Sequence, residues 1–274
     1  MISSAYTYAA YNLELRVPGL PLLASFLLAG VVTAAVGLVF GMPSLRLRGF
    51  YLAVSTLAAQ FFLQWLFTNF GWFSNYSASG VISAPPLQVA GLNLNSPVGR
   101  YLLVLSIVTA LTVLVVRLVR APIGRSFIAV RDHEVAARII GVPVLPVKLL
   151  AFTVSSFLIG IAGALWSFTY LRTIEPHGFD LTRSFQILFM IIIGGTASIR
   201  GAFLGAAFIS VLPLLLSRAG NLLVGGIIDA GTIEIVEKIL VGLLIIAFLI
   251  VEPAGLSALI DRLAARLGRR APAA

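Results

Sequence analysis

The chain has 274 residues, 59% of them hydrophobic and only 11% charged, with a mean hydropathy of +1.05; soluble domains are closer to half apolar and a quarter charged, so a soluble globular fold is excluded. Its net charge of +9 does not point to nucleic acid, because the cations flank hydrophobic runs and build no basic domain. Cysteine is absent, which excludes disulfides, thiolate metal sites and cysteine catalysis.

The first stretch, MISSAYTYAAYNLELRVPG, lacks a basic segment followed by an apolar core, so no cleavable signal peptide is expected. Hydrophobic segments follow at about 19–41, 49–69, 100–119, 149–170, 185–195, 201–217 and 235–251. Runs near or above 18 apolar residues mark membrane spans, so the expected fold is an all-α polytopic membrane protein with about seven hydrophobic segments. The fifth and sixth are short, and GGTASIRG separates them. The stretch 185–217 is therefore a Gly-broken pair, either two short spans or a broken hairpin facing protein or a wet cavity. No convincing internal repeat is visible, and a single transmembrane domain over 1–274 is expected.

Charge sets the expected orientation. The 41–48 loop carries Arg46 and Arg48 and no acid, and the tail carries Arg262, Arg266, Arg269 and Arg270. Between them, 117–148 holds Arg117, Arg120, Arg125, Arg131, Arg138 and Lys148 against Asp132 and Glu134, whereas 70–99 has no charge at all. Positive-inside bias places the first three regions in the cytoplasm and 70–99 outside. The parity then requires 185–217 to cross twice, or to dip in and return. Trp65, Trp72, Phe73 and Tyr76 sit where the second span would reach the outer surface and read as an interfacial aromatic belt.

The segment 117–148 cannot lie in hydrocarbon. Burying its eight charges at roughly 2.5–3.5 kcal/mol each would cost on the order of 20 kcal/mol. It has its own helix signals. Asp132 is expected as N-cap, Glu134 suits the first turn, and Gly141 with Pro143 supplies a stop, which predicts a helix over about 133–140. Val135, Ala136, Ile139 and Ile140 form one apolar stripe, and Glu134 can pair with Arg138 at i,i+4. Isolated helices this short are marginal in water, which points to a partner surface. The competing reading is an ordinary solvated loop helix.

Three stretches carry a resemblance: LRLRGFYLAVSTLAAQFF (45–62), PIGRSFIAVRDHEVAARIIGVPVLPVKLLAFTVSSFLIGIAGALW (122–166) and IIIGGTASIRGAFLGAAF (191–208). They resemble the permease subunits of ABC importers for branched-chain amino acids, the LivM-type subunit in particular. LIVEPAGL (249–256) resembles the family's ending, so the similarity runs over nearly the whole chain in the family's order. The resemblance implies a multi-pass permease in the cell (plasma or inner) membrane. It would translocate branched-chain or other hydrophobic amino acids, or a related small solute such as urea or an amide, delivered by a binding protein. The implied partners are a second, LivH-type permease, two cytoplasmic ABC ATPase subunits carrying ATP and Mg, an external substrate-binding protein and membrane lipid. No nucleic acid and no cofactor on this chain are implied.

On the same resemblance the loop at about 121–148 holds a coupling helix that docks on an ATPase, with Arg131, Asp132, Glu134, Ala136, Ala137, Arg138 and Gly141 as coupling residues. The family motif is Glu-Ala-Ala followed by Gly four residues after the second Ala. Ala136, Ala137 and Gly141 match that spacing, while Val135 holds the Glu position and Glu134 precedes it. Family members also carry further spans ahead of the part that AYTYAAY (5–11) resembles. The expectation is that an N-terminal span of the family is missing from this chain.

Other residues complete the candidates. Gln60 and Gln64 lie four apart on one face of the second span, and amides in hydrocarbon need partners, so they either bond between helices or line a translocation path. Ser156, Gly160 and Ala164 form a small-xxx-small face, as do Ala197, Gly201 and Gly205, for close helix packing. Glu175, His177 and Asp180 share no regular face and read as an external loop, so no metal site is expected. Glu234, Glu237 and Lys238 read as charges at the start of the last span. No catalytic triad, ligand cluster or phosphate-binding loop is visible, so the chain is not expected to be an enzyme or to hydrolyse ATP itself. The alternative function is a self-sufficient secondary transporter or channel. Ion-coupled carriers keep ionisable groups in mid-membrane, and the clearest spans here hold none.

Overall fold

A backbone in hydrocarbon must satisfy its polar groups internally, which turns long uncharged apolar runs into helices. The computed structural model describes residues 22–44, 50–71, 82–83, 87–89, 92–174, 176–179, 181–195, 198–224, 239, 242–243, 246, 255–257 and 259. The chain divides into two compact units, Met1–Asp180 and Leu181–Ala274. In the first unit the elements run α1 (Leu22–Ser44), α2 (Phe50–Asn69), β1 (Ile82–Ser83), β2 (Gln88–Val89), β3 (Leu92–Asn93), α3 (Pro97–Arg120), α4 (Pro122–Asp132), α5 (Glu134–Ile139) and α6 (Val144–Leu165). A π-helical turn over Trp166–Leu171, β4 (Thr173–Ile174) and a 3-10 turn over Pro176–Phe179 follow. The second unit begins with α7 (Leu181–Gly194) and α8 (Ile199–Val224).

The chain is an all-α polytopic membrane protein, its strands being two-residue ribbons in the loops. Leu23–Pro43, Pro97–Arg120 and Val144–Leu171 are long and apolar enough to cross a membrane. At 20 residues α2 is about 30 Å long. Leu181–Gly194 and Ile199–Leu215 are shorter apolar helices. Most of the expected segment 235–251 lies outside the described residues.

The core of the first unit is the α1–α6 pair. On α1, Ser25, Ala29, Thr33, Gly37 and Gly41 recur every four residues, and all five are buried. On α6, Ser156, Gly160 and Ala164 are buried. The two rows mesh without room for another atom. A Cβ on Gly160 would overlap Thr33, one on Gly37 would overlap Ser156, and the rings of Phe152 and Phe157 lie against Gly41 and Gly30. Ascending positions on α1 meet descending ones on α6, so the helices are antiparallel. Phe26 extends the contact to Phe168 in the π turn, edge to face at 5.6 Å between centroids. The end of α1 therefore lies beside the start of α6, at the charged end of the unit. At the opposite end β1 pairs with β4, joining the uncharged loop after α2 to the segment after α6.

Helix boundaries moved where local chemistry outweighed hydropathy. The third helix starts at Pro97 because the Ser96 Oγ accepts from the Gly99 N–H at 3.1 Å, with Pro97 in the first turn. Arg100 donates to the Asn95 carbonyl at 2.9 and 3.1 Å, and the Asn95 Oδ1 accepts from the Leu87 N–H, which ties the loop to the helix end.

In the second unit, the Gly-broken pair at 185–217 is a helical hairpin. Its break is at Gly195–Ser198, and α8 runs on to Val224 through Pro213. A Cβ on Gly201 would strike the Gly194 carbonyl, and one on Gly205 the Met190 carbonyl, so backbone lies on backbone. Ile193 and Ile209 close the core beneath Phe189 and Leu256.

A Gly160→Leu variant should lose about 1–3 kcal/mol of stability from overpacking. Thermal unfolding of the detergent-purified chain would register this as a clear drop in Tm, with the exposed Ile159→Leu change near neutral. An unchanged Tm for Gly160→Leu would contradict the α1–α6 contact.

Candidate functional site

The charged loop between α3 and α6 is a folded unit built from the turns outward. Arg117 and Arg120 sit in the last turn of α3, where cations favour the helix dipole. Ala121, at φ −69° and ψ 164°, ends α3 and begins α4, and Pro122 fits the first helical position where no N–H is needed. The corner is tight, since a Cβ on Gly124 would overlap the carbonyls of Leu118 and Val119. This 11-residue helix α4 was not expected from the sequence as a separate element; its buried Val130 faces inward.

The expected helix over 133–140 is Glu134–Ile139, and its cap differs from the expected one. Asp132 is the last residue of α4 and binds the Arg131 Nε at 2.8 Å, both side chains well exposed. His133 instead takes the N-cap position in extended conformation, without a side-chain cap bond. Asp132 fails as cap because its neighbour's guanidinium claims its carboxylate while the α4 helix extends through it.

Gly141 closes the other end. It adopts φ +86°, and its N–H donates to the Arg138 carbonyl at 3.1 Å while the Val142 N–H donates to the Ala137 carbonyl at 2.9 Å. This pair of bonds is a Schellman motif, whose left-handed residue favours glycine. Val142 accordingly packs on the Val130, Ala137 and Val144 cluster.

The cluster sorts the candidate coupling residues into two faces. Ala137 is buried, 2% exposed, inside the loop's own core. Val135, Ile139 and Ile140 are 74%, 80% and 72% exposed, and Ala136 is exposed beside them. The stripe expected from spacing is thus a bare apolar surface, while Ala137 is turned away from it. Between these faces, the Glu134 carboxylate lies 3.6 Å from Arg138, as spacing suggests, and 2.6 Å from the Lys148 Nζ. The Lys148 partnership was missed because 14 residues and a turn separate the two in sequence. A cavity of about 370 Å³ opens beside them, lined by Phe127, Val130, Arg131, Glu134, Val147, Lys148 and Ala151.

The sequence pattern of the family described as "Branched-chain amino acid transport system / permease component" matches residues 1–249. The chain belongs to this family. The LivM high-affinity branched-chain amino acid transport permease of Salmonella typhimurium is 31% identical over 81% of this chain and 57% of its own length. Its counterpart in Escherichia coli is 30% identical over the same shares. The autoinducer 2 import permease LsrC of an Enterobacter species is 28% identical over 72% of this chain and 57% of its own. The chain thus spans a little over half the length of the curated relatives it matches. No solved structure gives a significant match.

The remaining candidates of this branched-chain permease family member fall in several places. Gln60 and Gln64 are half-buried and share a face of α2 with buried Leu63 and Phe67, at i, i+3, i+4 and i+7 spacing. Gly201 and Gly205 lie against the backbone of α7; Ala197 lies outside the described residues. Glu175, Asp180, Glu234, Glu237 and Lys238 also lie outside them, as do Trp72, Phe73 and Tyr76. Among the described residues no group of three or more His, Asp or Glu could hold a metal.

Because Ala137 belongs to the loop's interior, Ala137→Trp should open the loop. Limited proteolysis of the purified chain should show cleavage within 122–143 about tenfold faster than in the parent, as expected for a destabilisation of about 1–3 kcal/mol. Ile139→Trp, on the exposed face, should not change that rate. Equal protection in both variants would refute the inward placement of Ala137.

Proposed function

We propose that this chain is a permease subunit of an ATP-driven ABC importer that moves branched-chain or other hydrophobic amino acids, or a related small polar solute, delivered by an external binding protein. The two compact units serve one permease domain in this reading. The family membership supports the transport class, and the relatives named for branched-chain amino acids favour that substrate class. The observation that carries the mechanism is the apolar face of Val135, Ala136, Ile139 and Ile140, fixed outward by a glycine turn on one side and a buried alanine on the other. Apolar side chains exposed on a rigid, charge-rich loop gain by burial against a partner.

The charged loop lies in the cytoplasm by positive-inside bias, and that partner is one of two ATPase subunits. ATP and Mg belong to those subunits, and this chain does no hydrolysis. A second permease subunit completes the path in the cell membrane. Gln60 and Gln64 line it, since they offer hydrogen bonds on an inward-turned face without the cost of a charge in hydrocarbon.

Burying an Ile or Val side chain contributes about 1.5–3 kcal/mol, and a buried carboxylate costs more. Ile139→Asp should therefore reduce co-purification of ATPase subunits with the tagged chain by about tenfold or more, roughly the loss of one such side chain. Full retention of the ATPases by Ile139→Asp and Val135→Asp together would remove the docking assignment. For the path, replacing Gln60 and Gln64 together with Leu should reduce uptake in vesicles while complex yield stays normal. Normal uptake in that double variant would take both residues out of the path.

A further inference from the structure

Three ion pairs stand in the charged loop, and only one ties separate elements across a long stretch of chain. Arg131–Asp132 joins neighbours at the end of α4, and Arg138–Glu134 lies within α5. Lys148–Glu134 links α5 to the first turns of α6. At 2.6 Å it is also the shortest of the three, and the most sheltered, with side chains 33% and 40% exposed against 60% and 52% for Arg131–Asp132. Shelter from water reduces screening, so this pair resists displacement more than a surface pair does.

We infer that the Lys148–Glu134 pair is a strut that makes α5 and α6 one lever, with Lys148 a positioning residue for energy coupling; this rests on the importer function proposed above. At six residues α5 is too short to hold itself. Its anchors are the single buried Ala137, the turn at Gly141 and the ion pair. The turn sets the chain direction through its two backbone bonds, but nothing packs on its outer side, since no atom lies within 4 Å of where a Gly141 Cβ would be. Without the strut, only the corners and Ala137 tie α5 to α6, and they leave so short a helix free to tilt.

With the strut, a push on Val135, Ile139 and Ile140 reaches α6 through a direct bond. From there it reaches α1, because the two helices are meshed from Gly41–Phe152 to Gly30–Phe157 with no slack for sliding. The ATPase-facing helix and the α1–α6 pair thus move as one body.

The test uses the complex purified through this chain and reconstituted in vesicles. The cavity beside the pair gives a Lys148→Met side chain room to lie without a clash. In K148M the ATPases should remain bound and ATP hydrolysis continue, while uptake per ATP falls about fivefold or more, the low end of a typical coupling free energy. K148R should retain coupling, and the charge swap E134K/K148E should restore most of it, which a purely structural role for Lys148 would not require. In parallel, on the detergent-purified chain without its ATPases, spin labels at I139C and I159C, placed freely because the chain has no cysteine, should give a narrow distance distribution that broadens in K148M.

Normal uptake per ATP in K148M, or an unbroadened distance, overturns the strut. Should K148M fail to accumulate, the swap decides alone: restored coupling supports the strut, and an assembled but uncoupled swap overturns it. If the parent complex itself shows no ATP-dependent uptake, the importer reading fails, and the label distances still decide whether the pair holds α5 to α6.

Discussion

The close approach of α1 and α6 is the contact on which the first unit depends. Between helices in lipid there is no hydrophobic gain from leaving one apolar surface for another, so association rests on dispersion over tightly meshed backbones. That meshing needs small residues in register on both partners. Here Ser25, Ala29, Thr33, Gly37 and Gly41 supply it from one side and Ser156, Gly160 and Ala164 from the other. The large rings of Phe152 and Phe157 then fill the space over Gly41 and Gly30 that a side chain would otherwise take. The hairpin of α7 and α8 repeats the same solution within the second unit, with Gly194, Gly201 and Gly205 bringing carbonyls against Cα atoms.

The charged loop is the opposite case, a small structure that must stand in water. Its helices are short, so neither propensity nor length can hold them. Stability comes instead from corners: Ala121–Pro122 into α4, extended His133 between α4 and α5, and the Gly141 turn into α6. A core of three residues, Val130, Ala137 and Val144, and the Lys148–Glu134 pair complete what these corners begin. One consequence is an economy of faces. The small side chain turns in, and the large ones, Val135, Ile139 and Ile140, turn out as a bare apolar surface.

Membership of the branched-chain amino acid permease family agrees with both features, and 57% coverage of the LivM relatives confines direct comparison to the part shared. Residues 1–249, which the family pattern matches, contain the charged loop and the two tight helix contacts.

Membrane character, helix class, the position of the charged loop and its apolar stripe were legible in the sequence, because each follows from composition or from a period of 3.6 residues. So was the stop at Gly141, since a left-handed turn after a short helix selects glycine on local grounds alone. The row of small residues on α1 has the same four-residue spacing but was not read from the sequence, because only α6 supplies the surface that gives it meaning. The tertiary structure alone decided which way Ala137 faces, that Asp132 ends one helix instead of capping the next, and that Lys148 reaches Glu134. These three depend on how α4, α5 and α6 fold back on one another, and a spacing along the chain carries no measure of distance once the chain has turned.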